Sequence, residues 1–192
     1  MVVRYGMIHG RFQPFHCGHL QYALDALARC EHLIVGITNP DPSLIVVEAT
    51  DPERHHPAAN VFTFFERQRM IRAALAEAEV DLARFSLVPF PIHHPERWRF
   101  YCPPETVQFV RLFSAWGKEK AKRLRDMGWT VEVLDAGAAK QGSGSEVRRR
   151  LREGQGWEEL VPGAVAAVLR EIGAVERLRK VISSQLPEES SQ

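Results

Sequence analysis

The sequence predicts an α/β fold: a doubly wound parallel sheet with helices from the C-terminal part of the chain packed on it. Three observations lead there. Val2 to His9 is a short apolar run that stops at Gly10, as a strand buried on both faces does. A helical pattern follows, with Leu20, Leu24 and Leu27 on one face, and then a second apolar, β-branched run from Leu33 to Thr38. Strand, loop, helix and strand between Val2 and Thr38 make a βαβ unit, so the strands run parallel and the crossover is right-handed.

The later elements continue the alternation. Pro40 to Asn60 carries four prolines, His55-His56 and several charges, and is expected to be a long loop. Glu66 to Ala78 has a helical pattern, and Phe85 to Phe90 is a third strand. Pro91 to Pro104 is a loop rich in His, Arg and aromatic residues. Pro104 to Met127 is expected to be helical with a break near Trp116-Gly117, and Thr130 to Leu134 is a fourth strand. A Gly/Ser/Lys loop, Gly137 to Gly144, leads into a basic helix start, Ser145 to Arg152. Beyond it, Trp157, Leu160, Val161, Val165, Val168, Leu169, Ile172, Val175 and Leu178 have the spacing of a helix or helix pair packed on the domain. The expected organisation is therefore a core over residues 1–150, a helical extension of the same domain over 151–183, and a disordered tail over 184–192.

A length of 192 residues suits one compact domain, and 45% apolar and 26% charged residues are ordinary for a globular protein. A net charge of +1 gives no general attraction to nucleic acid or membrane, so any binding of a polyanion must come from a locally basic site. No run approaches the roughly 18 apolar residues that span a bilayer, and the N-terminus lacks the layout of a signal peptide. Cys17, Cys30 and Cys102 are odd in number and scattered, which argues against a disulfide framework and for a reducing cytoplasm. A homo-oligomer is compatible with the sequence.

Two segments carry chemistry. GRFQPFHCGHL places His16 and His19 three residues apart at a strand-to-helix junction. A helix N-terminus offers backbone N–H groups and the positive end of the dipole, so phosphate is received there readily. Residues three apart share a helix face, so both imidazoles can address one phosphate. Gly10 and Gly18 let the backbone approach a triphosphate closely, and Arg11 and Phe12 flank the turn. A zinc site built from His9, His16, Cys17 and His19 does not fit structural zinc spacings.

In the second segment, QGSGSEVRRRL, a Gly-Ser loop opens a helix and makes a nest of N–H donors. Ser143, Gly144 and Ser145 supply hydroxyls and close backbone approach, and Arg148 supplies a fixed cation.

GRFQPFHCGH resembles the HxGH signature of the nucleotidyltransferase superfamily, in the longer form of archaeal-type nicotinamide mononucleotide adenylyltransferases. QGSGSEVRRRL resembles that family's second signature, with Ser145 in the place of a threonine. Phe62-Thr63 with Glu66-Arg67 resembles its Pro-Phe-Thr-x-x-Glu-Arg block, and GWEELVP through EIGAVERLRK resembles its terminal helices. The resemblance covers Val2 to Lys180 and implies a Rossmann-like nucleotidyltransferase. Such an enzyme moves a nucleoside monophosphate from a triphosphate to a small acceptor and releases pyrophosphate. It implies His16, His19 and Arg148 as catalytic residues. Gly10, Arg11, Phe12, Gly18, Ser143, Gly144 and Ser145 would join Arg148 in binding the nucleotide's phosphates. Mg²⁺ would be held mainly by triphosphate oxygens and water, without a dedicated protein site.

The departures from the family pattern fall on the acceptor side. The arginine expected before the Phe-Thr block is absent, and Arg54 or His55 is a candidate substitute. FPIHHPERWRFYCPP keeps Trp98, where the family's tryptophan stacks on nicotinamide, but lacks the neighbouring Asn-Ala-Leu. FSAWGKEKAKRL stands where Gly-Asn-Pro is expected. Asn39, Arg54, His93, Arg97 and Trp98 are the candidate acceptor residues. The leading expectation is ATP with nicotinamide mononucleotide, giving NAD. The alternative is transfer from CTP to a small phosphonate or phosphorylated metabolite, and a non-catalytic nucleotide sensor is a reading of another class.

Overall fold

A computed structural model describes residues 2–47, 55–112, 115–134 and 142–183. The expected loop from Gly137, Arg54 and the C-terminal tail lie wholly or partly outside these residues. Five strands form one parallel sheet: β1 (Val3–Gly10), β2 (Cys30–Thr38), β3 (Phe85–Phe90), β4 (Val107–Val110) and β5 (Val131–Val133), in the order β3-β2-β1-β4-β5. The order reverses between β1 and β4, and in such sheets ligands bind outside the carboxyl ends of the strands at that switch point. The doubly wound expectation is borne out.

The central strand is apolar on both sides because both faces are covered. Ile8 joins Leu33, Val35 and Ile37 against helices α1 (Cys17–Leu27), α2 (Phe64–Glu77) and α4 (Gly144–Glu153). The same cluster includes residues of α5 (Gly163–Glu171) and α6 (Ala174–Ser183). Met7 and Ile34 face the other way, against α3 (Ala115–Asp126) and the 3₁₀ turn at Pro95–Phe100. Close approach of the strands needs Gly6: a Cβ there would lie 2.3 Å from Phe109 Cε2 and 3.0 Å from Cys30 Cβ. Gly6→Ala is therefore expected to destabilise the protein by about 1–3 kcal/mol, the usual scale for overpacking, seen as a lower urea midpoint at unchanged slope.

One element corrects the sequence reading. Pro104 to Met127 is not one broken helix: Val107–Val110 is a strand and α3 begins at Ala115. Val107, Gln108, Phe109 and Val110 are all buried, so the strand shows no alternation, and its apolar residues merged with the helical spacing that follows. The long loop after β2 has 3₁₀ turns at Pro42–Leu44 and Pro57–Ala59. The C-terminal pattern resolves into two helices separated at Gly173, whose φ is +62°. They are tied to α2 by two 2.7 Å bonds from Arg177 to the Glu66 carboxylate, and by Glu77 Oε1 accepting from Ala164 N–H at the start of α5.

Candidate active site

Pairing between β1 and β2 ends at Gly10 and Ile37, and the chain then turns sharply. Phe12 takes a left-handed conformation (φ +52°), and Asn39, just past β2, does the same (φ +49°). For residues other than glycine such conformations cost about 1–3 kcal/mol each and persist only where the surroundings enforce them. The ring of Phe12 is 2% exposed, so the sequence expectation of Phe12 as a phosphate contact reduces here to its main chain.

His16 is the N-cap of α1 and His19 its third residue. α2 begins with an ordinary capping box, in which Thr63 Oγ1 accepts from Glu66 N–H and the Glu66 carboxylate accepts from Thr63 N–H. In α1 imidazoles hold those two positions, and no acid lies in the first turn. The rings of His16 and His19 stack with centroids 3.6 Å apart at 22°, and the edge of His19 meets Phe12 at 4.9 Å. His16 N–H approaches His19 Nδ1 at 3.4 Å, a long bond that leaves the proton of a neutral His19 on Nε2. The two histidines are thus brought together at a helix N-terminus without a competing carboxylate, which suits them to phosphate oxygens. Gly18 lies in the same first turn, and its carbonyl accepts from Arg111 at 3.4 Å.

The second segment docks directly on the first. Ser143 caps α4 by accepting from Glu146 N–H at 3.1 Å. A Cβ on Gly144 would stand 2.9 Å from the Gln13 carbonyl oxygen, so only glycine lets the helix end come this close. Arg148 donates to that same oxygen at 2.5 Å and to Ser145 Oγ at 3.3 Å. Its neighbours turn elsewhere. Arg149 bonds Glu146 and Glu153, while Arg150 bonds Glu146 and the Gly156 carbonyl. These two guanidinium groups hold the Glu146 carboxyl down to about 2.

Two residues that join the site escaped the sequence reading. The Gln13 side-chain amide donates to Phe62 O at 2.8 Å and accepts from Phe62 N–H at 2.9 Å, while the main-chain carbonyl of Gln13 accepts from Arg148. Arg67 is buried at the start of α2 and donates only to main-chain carbonyls among the described residues. A polar residue set between Phe12 and Pro14-Phe15 was the available signal for Gln13. For Arg67 it was the Glu-Arg of the resemblance, to which no role had been attached.

The loops after β2 and β3, where the acceptor residues are expected, share with the end of α3 a cavity of about 600 Å³, lined in part by Val46, Val47, Ile92, His93, His94 and Trp98. Arg97 is exposed, 3.5 Å from Glu96. Trp98, the expected stacking residue, offers little open face. Its indole is 2% exposed, packs on Phe90 at 5.5 Å and donates to the Pro91 carbonyl at 2.9 Å. Its apolar body belongs to the core and its one donor is satisfied. His9 is buried against Phe90, and burial, aided by the charge of Lys120, keeps its pKa well below the usual histidine value. No helix among the described residues is long and apolar enough to cross a membrane.

A parallel sheet with two phosphate-suited helix ends meeting beyond its central strand frames a nucleotide site, and the family and relatives that this chain matches make it a nucleotidyltransferase. It belongs to the cytidylyltransferase-like family, whose profile matches residues 7–150. It is 49% identical to a phosphonoformate cytidylyltransferase of Streptomyces viridochromogenes, across 91% of this chain and 95% of that one. It is 34% identical to a nicotinamide-nucleotide adenylyltransferase of Thermococcus kodakarensis, across 95% and 91%. The resemblance to the archaeal adenylyltransferases is borne out. A bifunctional NMN adenylyltransferase/ADP ribose pyrophosphatase from Francisella tularensis shares the fold, with a TM-score of 0.69 at 16% identity. That alignment covers 95% of this chain and 52% of the solved one.

Proposed function

We propose that this enzyme transfers the cytidylyl group of CTP to a small phosphonate of the phosphonoformate kind, in the cytoplasm. The observation that carries the acceptor choice is Trp98, which is 2% exposed, packs on Phe90 and only borders the cavity between the loops. A nicotinamide ring would find no open indole there, whereas a small anion needs none. The similarity to the Streptomyces enzyme supports the same choice. The second reading, ATP with nicotinamide mononucleotide, draws support from the archaeal relatives.

In the proposed reaction an acceptor phosphonate oxygen attacks the α-phosphorus in line. The bond from the α-phosphorus to the bridging oxygen breaks and pyrophosphate leaves. The attacking oxygen is already ionised at neutral pH, so catalysis consists of positioning and charge stabilisation. His16 and His19 address the α-phosphate and bridging oxygen, and Arg11 and Arg148 hold the β and γ phosphates. The nearby donors are imidazole, guanidinium and N–H groups, which suit phosphate oxygens. A hard cation such as Mg²⁺ would accordingly be carried on the triphosphate, where it offsets negative charge.

The test is pyrophosphate release from ATP, CTP, GTP and UTP, each paired with phosphonoformate or nicotinamide mononucleotide. CTP with phosphonoformate is expected to give the highest kcat/KM. Preferred turnover of ATP with nicotinamide mononucleotide would reverse the assignment.

A further inference from the structure

Arg67 is 2% exposed, and its N–H groups converge on four main-chain oxygens. Nε donates to Thr63 at 3.2 Å, Nη1 to Arg11 at 2.9 Å and Thr38 at 2.7 Å, and Nη2 to Asn39 at 2.7 Å. Three of these oxygens belong to the last residue of β2 and to the turns that leave β1 and β2, where pairing between those two strands has just ended. They flank the left-handed residues Phe12 and Asn39. A planar guanidinium, with its donors in a rigid fork, can hold diverging strands at this point, whereas a point charge cannot satisfy the same directions. Peptide planarity adds a second effect. With the Arg11 and Thr38 oxygens drawn to Arg67, the N–H groups of Phe12 and Asn39 in the same planes point the opposite way. The negative ends of these dipoles are thereby taken up by a cation, away from any phosphate.

We infer that Arg67 is a positioning residue for nucleotidyl transfer, acting on the nucleotide through Arg11, whose main chain it pins at the exit of β1. Burial lowers its pKa to about 10, so the clamp stays charged at neutral pH. The inference rests on the reading of Arg11 as a triphosphate contact.

A double-mutant cycle on the full chain tests it, using Arg67→Lys, Arg11→Ala and the pair, assayed with whichever substrates turn over best. Arg67→Lys is expected to unfold cooperatively above the assay temperature, yet to lose about a hundredfold in kcat, the scale for a misplacement near 1 Å. The double variant should lose little more than Arg11→Ala alone, because both changes act at one point. Gly6→Ala serves as the control for lost stability and should keep its kcat. Wild-type kcat in Arg67→Lys, or losses that multiply in the double variant, would overturn the inference. If Arg67→Lys does not fold, Arg67→Gln enters the same cycle and is judged by the same two outcomes. Normal turnover in Arg11→Ala would instead remove the role assigned to Arg11, and this inference with it. A slow Arg11→Ala beside a normal Arg67→Lys would remove this inference alone.

Discussion

Replacing His16 or His19 with alanine is expected to lower turnover by about a hundredfold or more while the protein stays folded, the scale of one lost transition-state donor. The stacked rings stand at the N-cap and third position of α1, where charge on a phosphate is already favoured by the helix end. The two variants should differ in stability. His16 is buried and stacked on His19, so its loss should also lower stability, by about 1 kcal/mol, the usual scale for a single substitution. His19 is only half-buried, so its loss should fall mainly on kcat. Pre-steady-state pyrophosphate release with urea unfolding separates the two effects. Turnover near wild type in either variant would reduce that histidine to packing.

Arg148→Ala is expected to weaken nucleotide binding and slow transfer together, by roughly 1.5–3 kcal/mol, or about tenfold to over a hundredfold. Its guanidinium touches both segments at once, through the Gln13 carbonyl and the Ser145 hydroxyl. Arg149→Ala makes the internal comparison, because Arg149 is spent on Glu146 and Glu153 along its own exposed helix face. It should keep kcat and KM within about twofold, as surface ion pairs contribute little. Equal, severe losses at Arg148, Arg149 and Arg150 would indicate a surface for a polyanion instead of a discrete triphosphate site.

The local parts of this architecture were legible in the sequence. A strand ending at a glycine, two histidines at helical spacing and a Gly-Ser helix start are each read from neighbouring residues, and the structure places them at β1, α1 and α4. What spacing cannot express is how distant segments meet. Gln13, Phe62 and Arg148 converge only in the folded chain, and nothing near Gln13 announces either partner. Strand β4 was hidden for another reason, since complete burial erases the alternation that marks a strand. Trp98 shows a third limit. An aromatic residue in a polar loop reads the same whether it faces a ligand or the core, and the packing of Trp98 on Phe90 is invisible in the sequence.

The joint at Gln13 has a bearing on how such an enzyme can change its chemistry. Its hydrogen bonds run to Arg148 and to Phe62, which closes the loop after β2 just before α2. The earlier part of that loop meets the loop after β3 around a cavity that the end of α3 also lines. Tolerance to substitution should therefore be uneven along the chain: low wherever the joint is touched, and high in the two loops, where insertions and exchanges leave the phosphate-handling frame intact. On the proposed function, a fold divided in this way would separate the part that breaks a phosphoanhydride from the part that selects what receives the nucleotidyl group. New acceptors can then be explored without rebuilding the reaction.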